Sequence, residues 1–429
     1  MAHAKYWNAG STLVLTAAAL ALAAPAAAQQ APEAVAAEAL RRAPVWDGHN
    51  DVPGQLRGRH GNVLAEFDFR DTTASGATHP QGRVMQTDLT RLRQGRVGAQ
   101  FWSVYVPATL PEPQAVQQTI EQIDVTRRLI DRYPADLALA LTSDDVARAM
   151  RAGRIASLIG MEGGHSIGSS LAVLRQMYAL GARYMTLTHT KNTPWADSGT
   201  DAPKNGGLND FGRDVIREMN RLGMLVDLSH VSEETMADVL DITRAPVMFS
   251  HSGARAVNNH ARNVPDSILA RMKDNGGIVM VVAFPSYTSE ELRQWTANRA
   301  GEEARLNSLW QGQPARVTEL MAAWTAANPA PLATVAQLAD HVDHVRRIAG
   351  IDHIGIGGDY DGMPTGPVTM EDVSGYPRLF EELARRGYSR ADLEKIASGN
   401  MMRVMRGAEA AARAMAGTPP FENRVAASD

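Results

Sequence analysis

The chain has 429 residues, 44% of them apolar, with 43 basic and 47 acidic side chains and no cysteine. A net charge of -4 with no long run of either sign argues against a nucleic-acid or anionic-membrane partner and for a small molecule. Without cysteine there is no disulfide framework, so stability must come from packing and from any metal that binds.

Residues 1–28 read as an export signal: Lys5, an apolar stretch from Leu13 to Ala24, then Ala26-Ala27-Ala28 ahead of Gln29. The stretch is short and alanine-rich, whereas a membrane span needs about 20 predominantly apolar residues. Cleavage after Ala28 therefore predicts an exported protein, periplasmic or secreted, with no stable membrane insertion. Residues 29–415 are expected to form a single domain and residues 416–429 a polar tail.

Eight short apolar or β-branched runs follow: "PVWDGH" (44–49), "GAQFWSVYV" (98–106), "IASLIGME" (155–162), "RYMTLTH" (183–189), "MLVDLSH" (224–230), "PVMFSH" (246–251), "GIVMVVAF" (277–284) and "HIGIGGD" (353–359). Residues from Gly54 to about Gln94 look irregular and are placed at the rim. Between runs, "NDFGRDVIREMNRLG" (209–223) puts Phe211, Val215, Met219 and Leu222 on one helical face, with Asn209 or Asp210 as cap and Gly223 as stop. Ser232 caps the next helix. Between Tyr287 and Pro331 the sequence is charged and helical, and a further helix leads into the last run. This alternation predicts an α/β fold, a (β/α)₈ TIM-like barrel with a helical insertion before the last strand.

Six of the eight runs end in a histidine or an acid: His49 with Asp51, Glu162, His189, His230, His251 and Asp359. Each alone is more often a loop residue satisfied by a backbone group or a turn cap. Together they occupy the C-terminal ends of successive strands, where a barrel gathers its catalytic residues. His3, His60, His79, His341, His344 and His353 fall in the signal, in polar loops and helices, or at the wrong end of a strand. His165 and His260 flank the site segments.

Histidines and carboxylates without cysteine make an N/O ligand set suited to Zn²⁺ or a similar divalent ion. Paired ions about 3.5–4 Å apart can share a hydroxide and polarise a carbonyl, as hydrolysis of an unactivated amide requires. There is no G-x-S-x-G elbow, although Ser229 and Ser250 stand just before histidines, and no P-loop or dinucleotide fingerprint.

The segments "DGHND", "GMEGGHSIG", "TLTHTKNTPWAD", "VDLSHVS", "FSHSGARAV", "RNVPD" and "GIGGDYDG", in this order, resemble the membrane dipeptidase (renal dipeptidase) family of the amidohydrolase superfamily, from about Val45 to Val404. The resemblance implies an exported, bacterial-type dipeptidase with two zinc ions per chain, acting on dipeptides through a metal-bridging hydroxide. It assigns His49 and Asp51 to one zinc, His230 and His251 to the other, and Glu162 to the bridge. His189 would contact substrate and steady the oxyanion, Arg262 would recognise substrate, and Asp359 would handle the substrate amine and the leaving-group proton. Tyr287 would add a substrate contact. Relatives tolerate a D-residue in second position, and a homodimer is implied by the resemblance alone. The missing cysteines and lipid-anchor tail mean that disulfide-linked dimers and membrane attachment are not carried over. A hydrolase of another small amide, ester or lactam, and a non-catalytic binding barrel, remain the alternatives.

Overall fold

Strands buried on both faces require nearly continuous apolar sequence, and the predicted runs supply it. The computed structural model describes residues 1–10 and 30–423. Residues 1–10 have no regular secondary structure. The apolar part of the predicted export signal, its junction at Ala28 and the last six residues of the predicted tail lie outside the described residues.

Among the described residues nine strands form: β1 (Val45–Asn50), β2 (Val97–Tyr105), β3 (Leu137–Leu139), β4 (Ile155–Glu162), β5 (Ala182–Thr186), β6 (Leu225–Asp227), β7 (Met248–Phe249), β8 (Ile278–Val282) and β9 (Ile354–Gly357). All pair in parallel, and the β2–β4 ladder closes a ring of eight. The short β3, not expected from sequence, stays outside the ring. It pairs with Ile155–Ser157 on the edge of β4 that β5 occupies higher up, at Ile159–Glu162. The eight predicted strands are the eight of the ring.

Period-two alternation sends Ala99 and Phe101, Ala156 and Leu158, Tyr184, Met248 and Met280 into one apolar interior cluster. Helix Asn400–Ala414 adds Met401, Val404 and Met405 to it. Toward the C-terminal ends of the ring strands, or just past them, stand Ser103, Glu162, Thr186, Asp227 and Ser250, all buried. The interior thus turns from apolar to polar toward the C-terminal end. Gly160 is required at that boundary, because a Cβ there would fall inside the ring of Tyr184.

Helix Asp210–Leu222 starts where the Asn209 side chain accepts the Gly212 amide and stops at Gly223, whose φ is +78°. Ser232 caps Glu233–Ile242 in the same way. The insertion comprises helices Glu290–Leu309 and Pro314–Ala327, joined by their own apolar cluster of Leu306, Val317 and Met321. Helix Val335–Ala349 then leads to β9. The stretch from Gly54 to Gln94 is less irregular than its sequence predicts. Val52–His60 is a helix, with Pro53 in its first turn and Gly61 at φ +52° as its stop, while Leu89–Gln94 forms another. Gly54 and Gly58 conceal the first of these. Near the C-terminus, the Phe421 amide donates to Glu218 and its carbonyl accepts from Arg175, so the described part of the tail is docked.

Candidate metal centre

His49 lies in β1 and Glu162 ends β4, but the other ligand candidates sit beyond shorter strands than the sequence predicts. His189, His230, His251 and Asp359 follow the strand ends at Thr186, Asp227, Phe249 and Gly357 on the connecting loops, and Asp51 precedes helix Val52–His60. Two of these positions are held in the left-handed region, His230 at φ +72° and Asp359 at φ +62°. Such backbone costs roughly 1–3 kcal/mol per residue and persists where surroundings over-determine it. The His230 carbonyl accepts the Gly199 amide at 2.8 Å, and the Asp359 amide donates to the His49 carbonyl at 3.1 Å.

Glu162 is the centre of the set. Its Oε1 is 3.0 Å from His230 Nε2, 3.5 Å from His251 Nε2 and 3.6 Å from His189 Nε2. Its Oε2 is 3.4 Å from His49 Nε2 and accepts from Ser103 Oγ at 3.1 Å. His49 Nε2 also lies 3.4 Å from Asp51 Oδ2 and, though buried, makes no hydrogen bond. Three overlapping groups place one ligand atom per residue within 4.8 Å of one another: His49, Glu162 and His251; Glu162, His189 and His230; His49, Asp51 and Asp359.

A metal-binding imidazole must present a lone pair, and the surroundings favour that state at His230 and His251, whereas at His49 burial is outweighed by Tyr184, Glu162 and Asp51, which hold it well above the ordinary histidine range. Burial holds His230 and His251 well below the ordinary histidine range, with the charge of Arg262 adding to it. His49 Nδ1 is 2.9 Å from the Tyr184 hydroxyl and His251 Nδ1 is 2.7 Å from Ser250 Oγ, leaving both Nε2 atoms to face Glu162. Imidazoles whose outer nitrogens are anchored while their inner ones converge on a carboxylate fit a divalent ion pair.

The set opens into a cavity of about 430 Å³ lined also by Arg262, Tyr287, Phe284, Tyr105, Gln55 and Asp361. Arg262 donates to the His251 carbonyl at 3.0 Å and to Ser252 Oγ at 3.3 Å, and its guanidinium lies 5.4 Å from the Tyr287 ring centre. Burial, reinforced by Asp51 and Glu162 and opposed by His49, lifts the Asp359 carboxyl well above its usual range. Burial also pushes His189 down to about 4, so it is neutral. All nine residues singled out in the sequence therefore gather at one site.

Sequence reasoning passed over Tyr105, whose ring lies 4.7 Å from that of His189. It ends β2, where the strand-end rule would have found it had the rule admitted neutral side chains. Asp361 was missed too. Burial pushes its carboxyl up to about 6, and it exchanges two hydrogen bonds with Gln86 of the rim segment, at 2.8 and 2.7 Å. Of the flanking histidines, His260 stacks on Tyr287 at 4.4 Å and supports the Arg262 amide through Nδ1. His165 is buried behind Gly163. His341, His344 and His353 bond Thr288, Asp266 and Gly277, away from the cavity lining.

Residues 33–418 match the profile of the membrane dipeptidase family, peptidase family M19. Dipeptidase 3 of Macaca fascicularis is 42% identical over 375 residues, covering 86% of this chain and 66% of that protein, so the chain spans just under two thirds of that relative. Dipeptidase aclJ of Aspergillus oryzae is 40% identical over 397 residues, covering 90% and 83%. The crystal structure of the probable dipeptidase PvdM from Pseudomonas aeruginosa superposes with a TM-score of 0.74 at 25% identity, over 89% of this chain and 99% of that one. On the strength of the profile match and the relatives' identity, the chain belongs to the membrane dipeptidase family.

Proposed function

We propose that the protein is an exported zinc dipeptidase that hydrolyses the peptide bond of L,L and L,D dipeptides, with two zinc ions per chain. The observation that carries this reading is the convergence of His49, His230 and His251 on Glu162 in a cavity that also holds Asp359 and Arg262. His49 and Asp51 would hold one ion, His230 and His251 the other, and Glu162 both. Bound there, a pair of divalent ions acidifies water and polarises the scissile carbonyl.

The remaining roles belong to the protein's own groups. The Arg262 fork takes the substrate's terminal carboxylate, a match of planar donors to two oxygens. Neutral His189 donates a hydrogen bond to the oxygen on which charge develops. Asp359, whose protonated form burial favours, receives the substrate's amine end and passes a proton to the leaving nitrogen. Tyr287, stacked on Phe284 at 4.4 Å, forms a wall against the second residue. With a carboxylate site on Arg262 and an acid at Asp359 in one cavity, the substrate proposed is a free dipeptide.

The test is a zinc-loaded preparation of verified metal content, assayed on Gly- and Ala-containing L,L and L,D dipeptides beside N-acetyl dipeptides, dipeptide amides and lactams. Turnover confined to free dipeptides supports the reading. A two-zinc preparation that turns over no dipeptide ends it, and a preference for lactams or other amides moves the assignment to a different small-molecule hydrolase. The export proposal is checked by the intact mass of the secreted protein, which should begin at Gln29.

A further inference from the structure

One buried carboxylate beneath the centre has no part in the roles above. Asp227 ends β6 and is fully buried. Its Oδ1 accepts the amides of Ser229 at 3.1 Å and Ser250 at 2.8 Å. Its Oδ2 accepts the hydroxyls of Ser250 at 2.6 Å and of Thr186. These four partners are neutral donors, so both carboxylate oxygens serve as acceptors, as a buried polar group requires.

Donor counting fixes what lies above it. A serine hydroxyl has one proton. Ser250 gives that proton to Asp227, which is nearer than Ser229 Oγ at 3.4 Å and, when charged, can only accept. The short contact of Ser250 Oγ with His251 Nδ1, 2.7 Å, must then be a bond donated by the imidazole. His251 is thereby held as the Nδ1–H tautomer, with its lone pair on Nε2, facing Glu162. The backbone around it is tied to the same hub: the His251 amide donates to Ser229 Oγ at 3.0 Å, and its carbonyl accepts from Arg262. His49 has a single hydroxyl behind it, Tyr184, and His230 Nδ1 has no partner. Of these three imidazoles, His251 is the one backed by a carboxylate.

We propose that Asp227 is a positioning residue for the metal centre, acting through Ser250 to set the tautomer and orientation of His251 and, through residues 250–252, the seat of Arg262. The inference rests on His251 being a metal ligand. Outer hydrogen-bond partners of this kind are worth about 10–100-fold in metal affinity.

The amide variant makes the argument sharp. In Asp227→Asn the side-chain oxygen would keep the two backbone amides, so the NH₂ group would face Ser250. Ser250 would then accept from asparagine and donate to His251 Nδ1, moving the imidazole proton to Nε2 and blocking the ligand. A near-isosteric change should therefore do more harm than deleting the hydroxyl, as expected when a wrong tautomer is imposed.

Zinc affinity is measured by competition with a chromogenic chelator for wild type, Asp227→Asn, Ser250→Ala and Ser250→Thr, with melting of the metal-free proteins as the folding control. We expect Ser250→Ala to weaken one of the two ions about 10–100-fold, Asp227→Asn to weaken it further, and Ser250→Thr to stay near wild type. Wild-type affinity in Ser250→Ala, or a threonine variant as poor as alanine, overturns the proposal, and this pair decides even if Asp227→Asn does not fold. An asparagine variant that folds and binds better than Ser250→Ala overturns the tautomer argument. A wild type that binds no zinc in the same titration brings down the metal assignment itself and this proposal with it.

Discussion

The Nε2 atoms of His230 and His251 face each other at 3.0 Å. Both imidazoles are kept neutral by burial, so neither gains from the other, and each retains a lone pair directed at the same space beside Glu162. A divalent ion held by these two imidazoles and Glu162 would relieve the arrangement. Zinc at 1,000 times its dissociation constant should stabilise the chelated protein by about 4 kcal/mol, read as a rise in melting temperature. His230→Ala should lose most of that rise and nearly all kcat. Equal melting with and without zinc would refute the ligand set.

Asp359 is the acid whose protonated state burial favours. Asp359→Asn keeps the shape and removes the proton in flight, so kcat should fall about 10²–10⁴-fold. Zinc content should stay at the wild-type level. Loss of zinc in parallel with kcat would instead place Asp359 among the metal ligands, beside His49 and Asp51.

Arg262 should act on binding. A charge-assisted fork to a carboxylate is worth about 1.5–3 kcal/mol, so Arg262→Ala should cut kcat/KM roughly 10–200-fold, mostly through KM. Wild type should discriminate against dipeptide amides, and the variant should not. Retained discrimination would remove Arg262 from the carboxylate site.

His341 gives a pH dependence away from the ligands. Its Nδ1 accepts the Ala254 amide at 2.9 Å and its Nε2 lies 3.0 Å from the Thr288 carbonyl, pinning the loop after His251 to the root of the insertion. Burial pushes its pKa down to about 4 from 6.5. The unfolded chain then binds more protons between these values, so stability is full above pH 6.5 and is lost as pH falls toward 4. The loss is roughly 3 kcal/mol. Denaturant melts of the chelated protein from pH 7 to pH 4 should show it. In His341→Gln the slope should shrink by up to one proton, and an unchanged slope would contradict the assignment.

The strands of the ring were legible because burial on both faces leaves long apolar runs such as "IASLIGME" and "GIVMVVAF". The candidate ligands were legible because ionisable side chains interrupt such runs at one end only. Leu137–Leu139 was not, since three residues beside β4 carry no pattern of their own. Tyr184, Asp227 and Ser250 escaped for a different reason. Their roles depend on which strand lies alongside and in what register, and the pairing of Asp227 with Met248 across β6 and β7 is written in neither segment alone. Asp361 escaped because its partner Gln86 is 275 residues away in the chain.

Ring closure also governs when the proposed site can form. The first proposed ligands, His49 and Asp51, lie in and just after the first strand, and Asp359 follows the last, which pairs with the first at Asp47 and Ile356. A chain synthesised from its N-terminus holds all five proposed metal ligands once His251 is made, but lacks Asp359 and the closing strand until near its end. Contacts of such long sequence separation form late and slowly. The proposed site is therefore completed only when the last strand docks against the first.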